Sequence, residues 1–557
     1  MERWLPVLVL AAAAAGCEGD AASSGEARER PPPEVGASAD TVPLYGLWSY
    51  TARNDGDYDN PYDYREVELE AEFEPPDGRT IEFFGFHDGD GRGGGTGDVW
   101  RLRFMPDETG TWRYRFRWSD GTPGDSGSFQ VEDTGSPGPL TVDDDAPRYF
   151  ETARGEPFHF RGYDLHVMPP YLDSPSLVRE LDEVRRILRE RVADRGYNFT
   201  MVDGLIGRRA DEPNIWEESW WAGPDERLRF DPGSWHAFEE VLRTAADEGI
   251  HVVTFAGMVY QGEEYGFDDF RVFLRYWTAR LAPFHNFQGF SPTWEWTDIW
   301  SPEEVDRIMS YVDEIDPFGT LLSVHDCSER VFRGWLDFSM RQAQSRSVFD
   351  GNDPRAGQSQ GACTAPGGVG DPFLDRPILG SEDIWETREG DHGQPRNREE
   401  IRRAAWGIAL GGVLPLYSEW HPNPPPEGGE GTAEPEVRRM FDFLYERTRY
   451  RSYRRLNDLV DRSERQVASG IPGEEYLVYD EDGGTVALDL TGVSGGAMFE
   501  VLWFDPAVGE TRSGDPVEGG EVVRLEPPFG PDAVVLVRRA RMTSVRDRSP
   551  PPRGGAG

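Results

Sequence analysis

The stretch "FQGFSPTWEWTDIWSPEEVDRIMSYVDEIDPFGTLLSVHD", residues 287–326, contains one full repeat of a parallel βα fold. Its apolar segments at 287–296 and 320–326 have the length and composition of buried strands. Between them, Ser301 and Glu304 have the spacing of a capping box, which marks the start of a helix. A strand, a helix and a second strand in this order predict parallel strands joined by a helical crossover.

The same alternation extends in both directions and defines a region from residue 148 to about 450. Helical patterns such as "DDFRVFLRYWTARL" (268–281) separate several of its short apolar segments. Eight segments are predicted strands: 158–165, 197–204, 250–258, 287–296, 320–326, 336–342, 376–383 and 412–420. Eight strands separated by helices in a region of this size predict a central (β/α)8 TIM barrel.

The sequences on either side of the predicted barrel have a different pattern of apolar and polar residues. Residues 43–134 contain short alternating segments such as "TWRYRFRW" (111–118), separated by Gly, Asp and Pro, and predict an N-terminal Ig-like β-sandwich. Residues 455–540 predict a second, C-terminal β-sandwich. Residues 18–42 and 541–557 hold few large apolar side chains, so we expect a disordered linker and a disordered tail.

The composition excludes some classes of partner. The chain has 557 residues, too many for one core, and a formal net charge of −44. All of its basic residues other than histidine are arginines. Such a charge disfavours nucleic acids and anionic membrane surfaces as partners, because both would repel it.

The N-terminus predicts export. "MERWLPVLVLAAAAAGC" has an early arginine, a short apolar run and small residues before Cys17. It resembles a bacterial lipoprotein signal (residues 1–17), which implies that Cys17 becomes lipidated and holds the protein at the cell envelope, periplasmic or on the surface. The alternative is an ordinary secretory signal cut near Ala15, which gives a secreted protein. Cys327 and Cys363 would then face oxidising conditions and could pair.

Candidate site residues stand where the predicted barrel strands end. In a TIM barrel the active site lies at the carboxyl ends of the strands. Reading those ends in chain order gives Asp164, His166, Asp203, Glu295, His325, Arg341, Gln342, Glu382 and Trp420. Asp383 and Glu386 are rivals to Glu382, because they stand beside it at the end of the seventh strand.

Glu295 has the surroundings that a catalytic acid needs. It stands between Trp294 and Trp296, with Trp300 close behind. Apolar rings raise the pKa of a carboxyl by desolvating its charged form. Hydrolysis of a glycosidic bond needs one protonated and one ionised carboxyl group. Glu295 therefore suits the acid, and the rings offer flat apolar faces to a sugar.

Several motifs of the barrel carry a family resemblance. "RLAPFHNFQGFSPTWEW", "DEIDPFGTLLSVHD" and "RPILGSEDIWE" resemble the apiosidase-like glycosidases, which belong to the retaining clan A glycoside hydrolases. Residues 73–116 resemble the small β-sandwich that often precedes such barrels. Residues 474–528 resemble a C-terminal sandwich known in related proteins as a candidate collagen-binding domain.

The resemblance implies roles for particular residues. Glu295 would be the acid/base and Glu382 the nucleophile of a double displacement on a poly- or oligosaccharide. One position departs from the clan pattern, because Trp294 stands where these enzymes usually carry an asparagine that contacts the sugar 2-hydroxyl. Substrate contacts are expected from Asp164, His166, Asp203, Trp294, Trp296, His325, Arg341, Gln342 and Trp420.

Two other functions fit the same sequence. The departure at Trp294 motivates a surface carbohydrate-binding protein on a barrel that no longer catalyses. An adhesin that uses the C-terminal sandwich to bind a host or matrix protein is a third hypothesis. We expect no cofactor and no metal: "HDGDGRGGGTGD" (87–98) lacks the terminal bidentate glutamate of an EF-hand loop and predicts a Gly-rich hairpin loop instead.

Overall fold

A computed structural model describes most of the chain. The described residues are 33–165, 182, 185–202, 228–255, 266–291, 301–325, 334–341, 376–386, 398–419, 433–461, 465–530 and 532–540.

The N-terminal module consists of two β-sheets that pack face to face. Its strands are β1 (Gly36–Ala37), β2 (Thr41–Pro43), β3 (Trp48–Arg53), β4 (Leu69–Glu74), β5 (Ile81–Phe84), β6 (Phe86–His87), β7 (Val99–Phe104), β8 (Gly110–Trp118) and β9 (Asp125–Glu132). The sheet orders are β1-β3-β7-β6 and β2-β9-β8-β4-β5. Trp48 of one sheet stacks on Phe129 of the other at 4.8 Å between ring centroids. The alternation of β8 is as predicted, since its large rings are buried and its arginines exposed.

A short hairpin follows this module. Its strands are β10 (Leu140–Val142) and β11 (Phe150–Thr152), which pair in antiparallel fashion. Arg451 donates to the carbonyl oxygens of Phe150 and Phe158, at 3.0 and 2.9 Å, and forms an ion pair with Asp143. The hairpin is thereby fixed to the end of the barrel where the strands begin.

All eight predicted barrel strands are present, and all their pairings are parallel. They are β12 (Gly162–Asp164), β13 (Phe199–Val202), β14 (His251–Phe255), β15 (Phe287–Ser291), β16 (Ser323–His325), β17 (Phe338–Arg341), β18 (Ile378–Glu386) and β19 (Leu414–Glu419). The sheet order is β15-β14-β13-β12-β19-β18-β17-β16, so that the first strand pairs with the last as in a TIM barrel. The TIM-barrel core is therefore confirmed.

The boundaries of the first barrel strand differ from the prediction. Residues 158–161 were expected to extend it, but β12 begins at Gly162. The carbonyl of Phe158 accepts from the Arg451 guanidinium, which shows that this part of the chain bonds to a side chain from outside the barrel.

Five α-helices and one π-helical turn are described around the barrel. The π-helical turn is Leu188–Ala193, and the helices are α1 (Pro232–Asp247), α2 (Phe267–Leu281), α3 (Pro302–Ile315), α4 (Arg398–Leu410) and α5 (Glu434–Arg447). The predicted capping box is confirmed, because Ser301 and Glu304 exchange side-chain bonds with each other's backbone N–H at the start of α3. The helical pattern at 268–281 is confirmed as α2, and its apolar side chains Phe270, Phe273, Leu274, Trp277 and Leu281 are buried.

Aromatic side chains fill the lower end of the barrel, where the strands begin. Phe199 and Phe338 are the first residues of β13 and β17, and Phe150 of the hairpin lies against both, at 6.4 and 5.8 Å between centroids. Gly289 has a φ of 100°, and a Cβ there would lie 2.8 Å from the Phe338 ring. Only glycine fits this close approach at positive φ. The barrel is therefore a packed core at this end. A functional site would lie at the opposite end, where the strands finish.

The C-terminal module consists of a six-stranded and a two-stranded sheet. Its strands are β20 (Arg454–Arg455), β21 (Gln466–Ile471), β22 (Glu475–Asp480), β23 (Val486–Asp489), β24 (Met498–Phe504), β25 (Thr511–Glu518), β26 (Val522–Leu525) and β27 (Ala533–Arg539). The larger sheet has the order β20-β21-β22-β27-β24-β25, and β23 pairs with β26. Val478, Phe499 and Val535 are among the side chains of their shared core.

Candidate functional site at the carboxyl ends of the barrel strands

Asp164 is the candidate site residue whose surroundings are best defined. It is the last residue of β12, and its backbone is aligned with Met201 of β13, which is aligned with Val253 of β14. Val253 faces the barrel interior, because its Cγ2 and the ring of Phe338 would both lie within 3 Å of a Cβ at Gly289. Residues aligned in parallel strands share a face. Asp164 therefore lies on the interior face at the carboxyl end of the first strand, and it is only 2% exposed.

The seventh strand is irregular where it carries Glu382. Gly380 is aligned with Pro415 of β19, and Ile384 is aligned with Tyr417. An advance of four residues along β18 therefore corresponds to an advance of only two residues along β19. Residues 381–383 form a bulge between these points. Bulges occur often beside active sites, where they redirect side chains. The strand also runs beyond the predicted end at 383 and reaches Glu386, which is aligned with Glu419.

The fourth strand is also irregular before it reaches Glu295. The register between β14 and β15 shifts between Val252 and Thr254, opposite Gly289. The strand ends at Ser291, four residues before Glu295. Glu295 and the tryptophans 294, 296 and 300 lie outside the described residues, and so does the side chain of Glu382. The separation of the two carboxyl groups stays a prediction.

The fifth and sixth strands end beside the seventh. His325 is the last residue of β16, and its backbone is aligned with Met340 of β17. Arg341 is the last residue of β17 and is aligned with Gly380, two residues before Glu382. The backbones of Arg341 and Glu382 are therefore close together, whereas their side chains, like that of His325, lie outside the described residues.

Several other predicted positions fall outside the described residues. These are Cys17, His166, Asp203, Cys327, Gln342, Cys363 and Trp420. Asp164, His325, Arg341 and Glu382 thus have described backbones at the same end of one barrel, and Asp164 alone of these four has a described side chain.

Sequence reasoning missed a buried charged cluster between the N-terminal module and the barrel. Asp88, in the loop between β6 and β7, accepts from Arg280 of α2 at 2.9 Å and lies 2.8 Å from His236 Nε2 of α1. Arg280 also bonds to Glu239 of α1 at 2.7 Å, and Glu239 accepts from Arg103 of β7 at 2.7 Å. The signal was an arginine among the apolar residues of α2.

The cluster sets the charge states of its members. Burial alone would raise the pKa of Asp88, but Arg280, His236 and Arg101 hold that pKa well below its usual range. Burial would likewise raise the pKa of Glu239, and Arg103 and Arg280 lower it instead. Both carboxylates are ionised at neutral pH. The Gly-rich loop that was weighed as a calcium site therefore presents Asp88 to arginine and histidine.

The described part of the chain contains neither a metal site nor a membrane-spanning helix. No group of three or more His, Cys, Asp or Glu residues there is arranged to hold a metal ion. No helix there is both long and apolar enough to cross a membrane.

Comparison with known proteins places the fold among glycoside hydrolase structures. Residues 41–119 match a family described as a domain of unknown function (DUF5060). A structure from Bacteroides vulgatus, described as a candidate glycoside hydrolase, is similar with a TM-score of 0.64 at 16% identity and covers 90% of this chain and 100% of that one. No curated protein matches the chain.

Two further solved structures match a smaller part of the chain. A glycoside hydrolase of family 5 from Bacteroides vulgatus is similar with a TM-score of 0.53 at 18% identity, over 72% of this chain and 94% of that one. Another glycoside hydrolase gives 0.54 at 16% identity, over 72% and 97%. At such identities the similarity establishes a common fold, a TIM-barrel core with accompanying sheets.

Proposed function

We propose that this protein is a retaining glycoside hydrolase that acts on a poly- or oligosaccharide outside the cytoplasm. The observation that carries the proposal is the asymmetry of the barrel. Its lower end is filled by Phe150, Phe199 and Phe338, whereas Asp164 and the backbone of Glu382 lie towards its upper end, on strands separated by β19 alone. The fold shared with solved glycoside hydrolases supports the same class of reaction, although one fold hosts many chemistries.

In the proposed mechanism two glutamates act on opposite sides of the glycosidic bond. Glu382 attacks the anomeric carbon and forms a glycosyl-enzyme ester, while Glu295 donates a proton to the leaving oxygen. Glu295 then takes a proton from water, which attacks the ester and releases the sugar and a free Glu382 carboxylate. Retention requires the two carboxyl groups to lie about 5–5.5 Å apart. The reaction needs no cofactor and no metal.

The remaining candidate residues are assigned to substrate binding. Asp164 would accept hydrogen bonds from sugar hydroxyl groups through its carboxyl oxygens, because it lies on the interior face at the carboxyl end of the first strand. Trp294, Trp296 and Trp420 would stack on sugar faces. His166, Asp203, His325, Arg341 and Gln342 would line the same cleft.

A substrate screen tests the proposal directly. Wild-type protein is incubated with a panel of plant and algal polysaccharides, beside Glu295→Gln, Glu382→Gln and the control Glu518→Gln, whose exposed side chain lies on β25. We expect wild type and the control to release sugar, and the two site variants to lose at least about a hundredfold in rate. Proton NMR of the first product formed should show the retained anomer.

The outcomes separate this proposal from its rivals. An inverted first anomer contradicts the double displacement. Polysaccharide binding without turnover by wild type favours the non-catalytic surface protein that Trp294 motivates. Full activity of Glu382→Gln, with loss in Asp383→Asn or Glu386→Gln, would move the nucleophile to a neighbouring carboxylate on the same strand.

We also propose that the protein is exported and anchored through lipid on Cys17. A linker would follow that is shorter than the expected 18–42, because β1 (Gly36–Ala37) and β2 (Thr41–Pro43) already pair with strands of the N-terminal module. The two sandwiches, expected at 43–134 and 455–540, would stand around the barrel (148–450), with a tail at 541–557. Mass spectrometry of the mature N-terminus tests the anchor. A diacylated Cys17 supports it, and an unmodified N-terminus near Ala15 or Gly16 indicates secretion instead. Cys17→Ala should release the protein from the membrane fraction.

A further inference from the structure

The N-terminal module lies lengthwise against the outside of the barrel. In a βα barrel the first turn of each helix lies at the end where the strands finish. Arg65 of the module donates to Asp269 in the first turn of α2, at 2.9 Å. At the other end, Phe83 lies edge-on to Phe318, which follows the last turn of α3, at 5.0 Å between centroids. One end of the module is therefore level with the upper end of the barrel.

At this upper end the module contacts the chain that leads into α1. The loop after the second barrel strand leaves β13 at Val202 and carries the candidate residue Asp203. The described chain resumes at Leu228, and α1 begins at Pro232. We name residues 228–233 the loop root. Contacts that fix the loop root also fix the point where the loop ends.

Two hydrogen bonds join the loop root to the module. The side-chain amide of Asn60 donates to the carbonyl oxygen of Leu228 at 3.0 Å. In the opposite direction, the guanidinium of Arg229 donates to the carbonyl oxygen of Asp59. The two bonds connect neighbouring positions on each segment. They therefore restrict the relative rotation of the segments as well as the distance between them.

Packing contacts continue along the loop root. Tyr62 of the module lies edge-on to Phe230 at 5.6 Å between centroids. In the first turn of α1, a Cβ on Gly93 of the module would lie 3.2 Å from the Cα of Gly233. The two backbones thus approach each other with no side chain between them. The module therefore contacts the loop root from its first residue to its last.

Leu228 has a backbone conformation that needs support from its surroundings. Its φ is 61°, in the left-handed region that is costly for a residue with a Cβ. Strained backbone of this kind persists where the surrounding structure holds it, and it is concentrated at functional sites. The Asn60 amide bonds to the carbonyl of this same residue, and the leucine side chain packs against the core. The module thus supports a strained residue at the point where the loop joins the helix.

We propose that the N-terminal module, including the segment that matches a domain of unknown function, positions the loop that follows the second barrel strand, and that Asn60 is the positioning residue. Asn60 stabilises Leu228 in its left-handed conformation and thereby fixes the end of the loop. It acts on substrate through this loop, which carries Asp203. The effect on substrate rests on the proposed function, whereas the fixing of the loop root does not.

Hydrogen exchange of the full chain, read by mass spectrometry, tests whether Asn60 fixes the loop root. Asn60→Asp keeps the side-chain oxygen that accepts from the Tyr62 N–H, but it removes the donor to Leu228. We expect amides of the loop root to exchange at least about tenfold faster in this variant. Those at 238–247, later in α1, should change less than about twofold.

Leu228→Gly provides a second test, because glycine adopts a φ of 61° without strain. Added to Asn60→Asp, it should return exchange of the loop root to within about threefold of wild type. A double variant that exchanges faster than Asn60→Asp would overturn the role of Asn60 in holding this conformation.

The matched control is Asn198→Asp. The Asn198 amide also donates to a backbone carbonyl, that of His159, at 2.9 Å, but it does so just before β13 begins, at the lower end of the barrel. The same chemical change there should leave exchange at the loop root unaltered. An equal acceleration at the loop root in this control would indicate general destabilisation and would overturn the proposal.

Turnover tests the effect on substrate. With any polysaccharide that wild type hydrolyses, Asn60→Asp should raise KM by about threefold to tenfold and change kcat less than about twofold, because it alters a binding loop and leaves the proposed catalytic glutamates in place. Unchanged exchange at the loop root would overturn the proposal, and so would faster exchange with an unchanged KM. If wild type hydrolyses no polysaccharide, the proposed function fails, and hydrogen exchange still decides whether the module fixes the loop root.

Discussion

The two interfaces of the barrel with its flanking modules are both built on buried arginines, but they satisfy those arginines differently. At the N-terminal interface, Arg280 is shared between Asp88 and Glu239, and each of these carboxylates has another cationic or imidazole neighbour. At the C-terminal interface, Arg402 of α4 bonds to Asp532 and to Glu436 of α5, at 2.8 and 2.9 Å.

Their surroundings also differ. Trp406 and Phe504 pack beside the Arg402 triad at 5.8 Å between centroids, and the Tyr479 hydroxyl donates to Asp532 at 3.3 Å. The C-terminal interface therefore combines aromatic contacts with the Arg402 triad and with separate ion pairs from Arg403 to Glu481 and from Arg449 to Glu475. The N-terminal interface is a continuous charged network, in which loss of Arg280 leaves two deeply buried carboxylates, Asp88 and Glu239, with fewer cations.

The largest expected effect comes from Arg280→Met. It leaves Asp88 and Glu239, whose side chains are each only 1% exposed, with fewer cations to stabilise their charges. We expect the free energy of unfolding to fall by about 3–5 kcal/mol, the usual cost of breaking a buried pair. Urea denaturation of the full chain measures it. Arg113→Met, at 67% exposure, is the control and should change stability by less than about 0.5 kcal/mol.

Arg402→Met should cost less, about 2–3 kcal/mol. Glu436 keeps an ion pair with Arg398, and Asp532 keeps the Tyr479 hydroxyl. The Arg402 side chain is also 7% exposed, whereas that of Arg280 is fully buried, so solvent screens the loss at Arg402 more. Denaturation under the same conditions gives the comparison. If Arg402→Met lowered the free energy of unfolding as much as Arg280→Met or more, the aromatic surroundings of the triad, and not its remaining partners, would determine the loss.

The sequence predicted the barrel well because its signals are local. The capping box at Ser301 and the apolar face of α2 depend on neighbouring residues along the chain. The strand β25, "TRSGDPVE", was missed because nearly all its side chains are exposed, and it exists through pairing with β24. The strand β9 was missed for a similar reason, since only Phe129 and Val131 are buried in it.

The candidate site was predictable only as a set of positions. Strand ends could be read from the sequence, and parallel pairing brings Asp164, His325, Arg341 and Glu382 to one end. The bulge at 381–383 and the register shift at Gly289 could not be read, because they depend on how neighbouring strands align and on the approach of Phe338. The role of Asp88 depends on contacts with residues almost 200 positions away, such as Arg280 at a separation of 192.

Asp337 contrasts with the paired carboxylates of both interfaces, because it is a largely buried carboxyl group with no ion pair among the described contacts. Burial raises its pKa to about 6, although the Leu322 N–H donates to it at 2.8 Å. The folded pKa exceeds the unfolded value of 3.8, so ionisation opposes folding as pH rises from about 4 through 6. Asp337→Asn should therefore add about 2 kcal/mol of stability at pH 7.5 and nothing at pH 4, as measured by urea denaturation at both values. Equal effects at the two values would contradict this.

His251 gives the basic counterpart, with the smallest expected effect. Burial, together with a smaller effect of His285, lowers its pKa to about 3; the Phe158 ring and Gln288 lie against it. The folded pKa lies below the unfolded value of 6.5, so the unfolded chain takes up a proton first and stability falls as pH drops below 6.5. His251→Gln removes this site, and between pH 7 and 5.5 the variant should lose about 1 kcal/mol less stability than wild type. If the stabilities of wild type and variant changed equally with pH, the imidazole of His251 would be charged in the folded barrel. Burial without a carboxylate partner would then not be enough to keep it neutral.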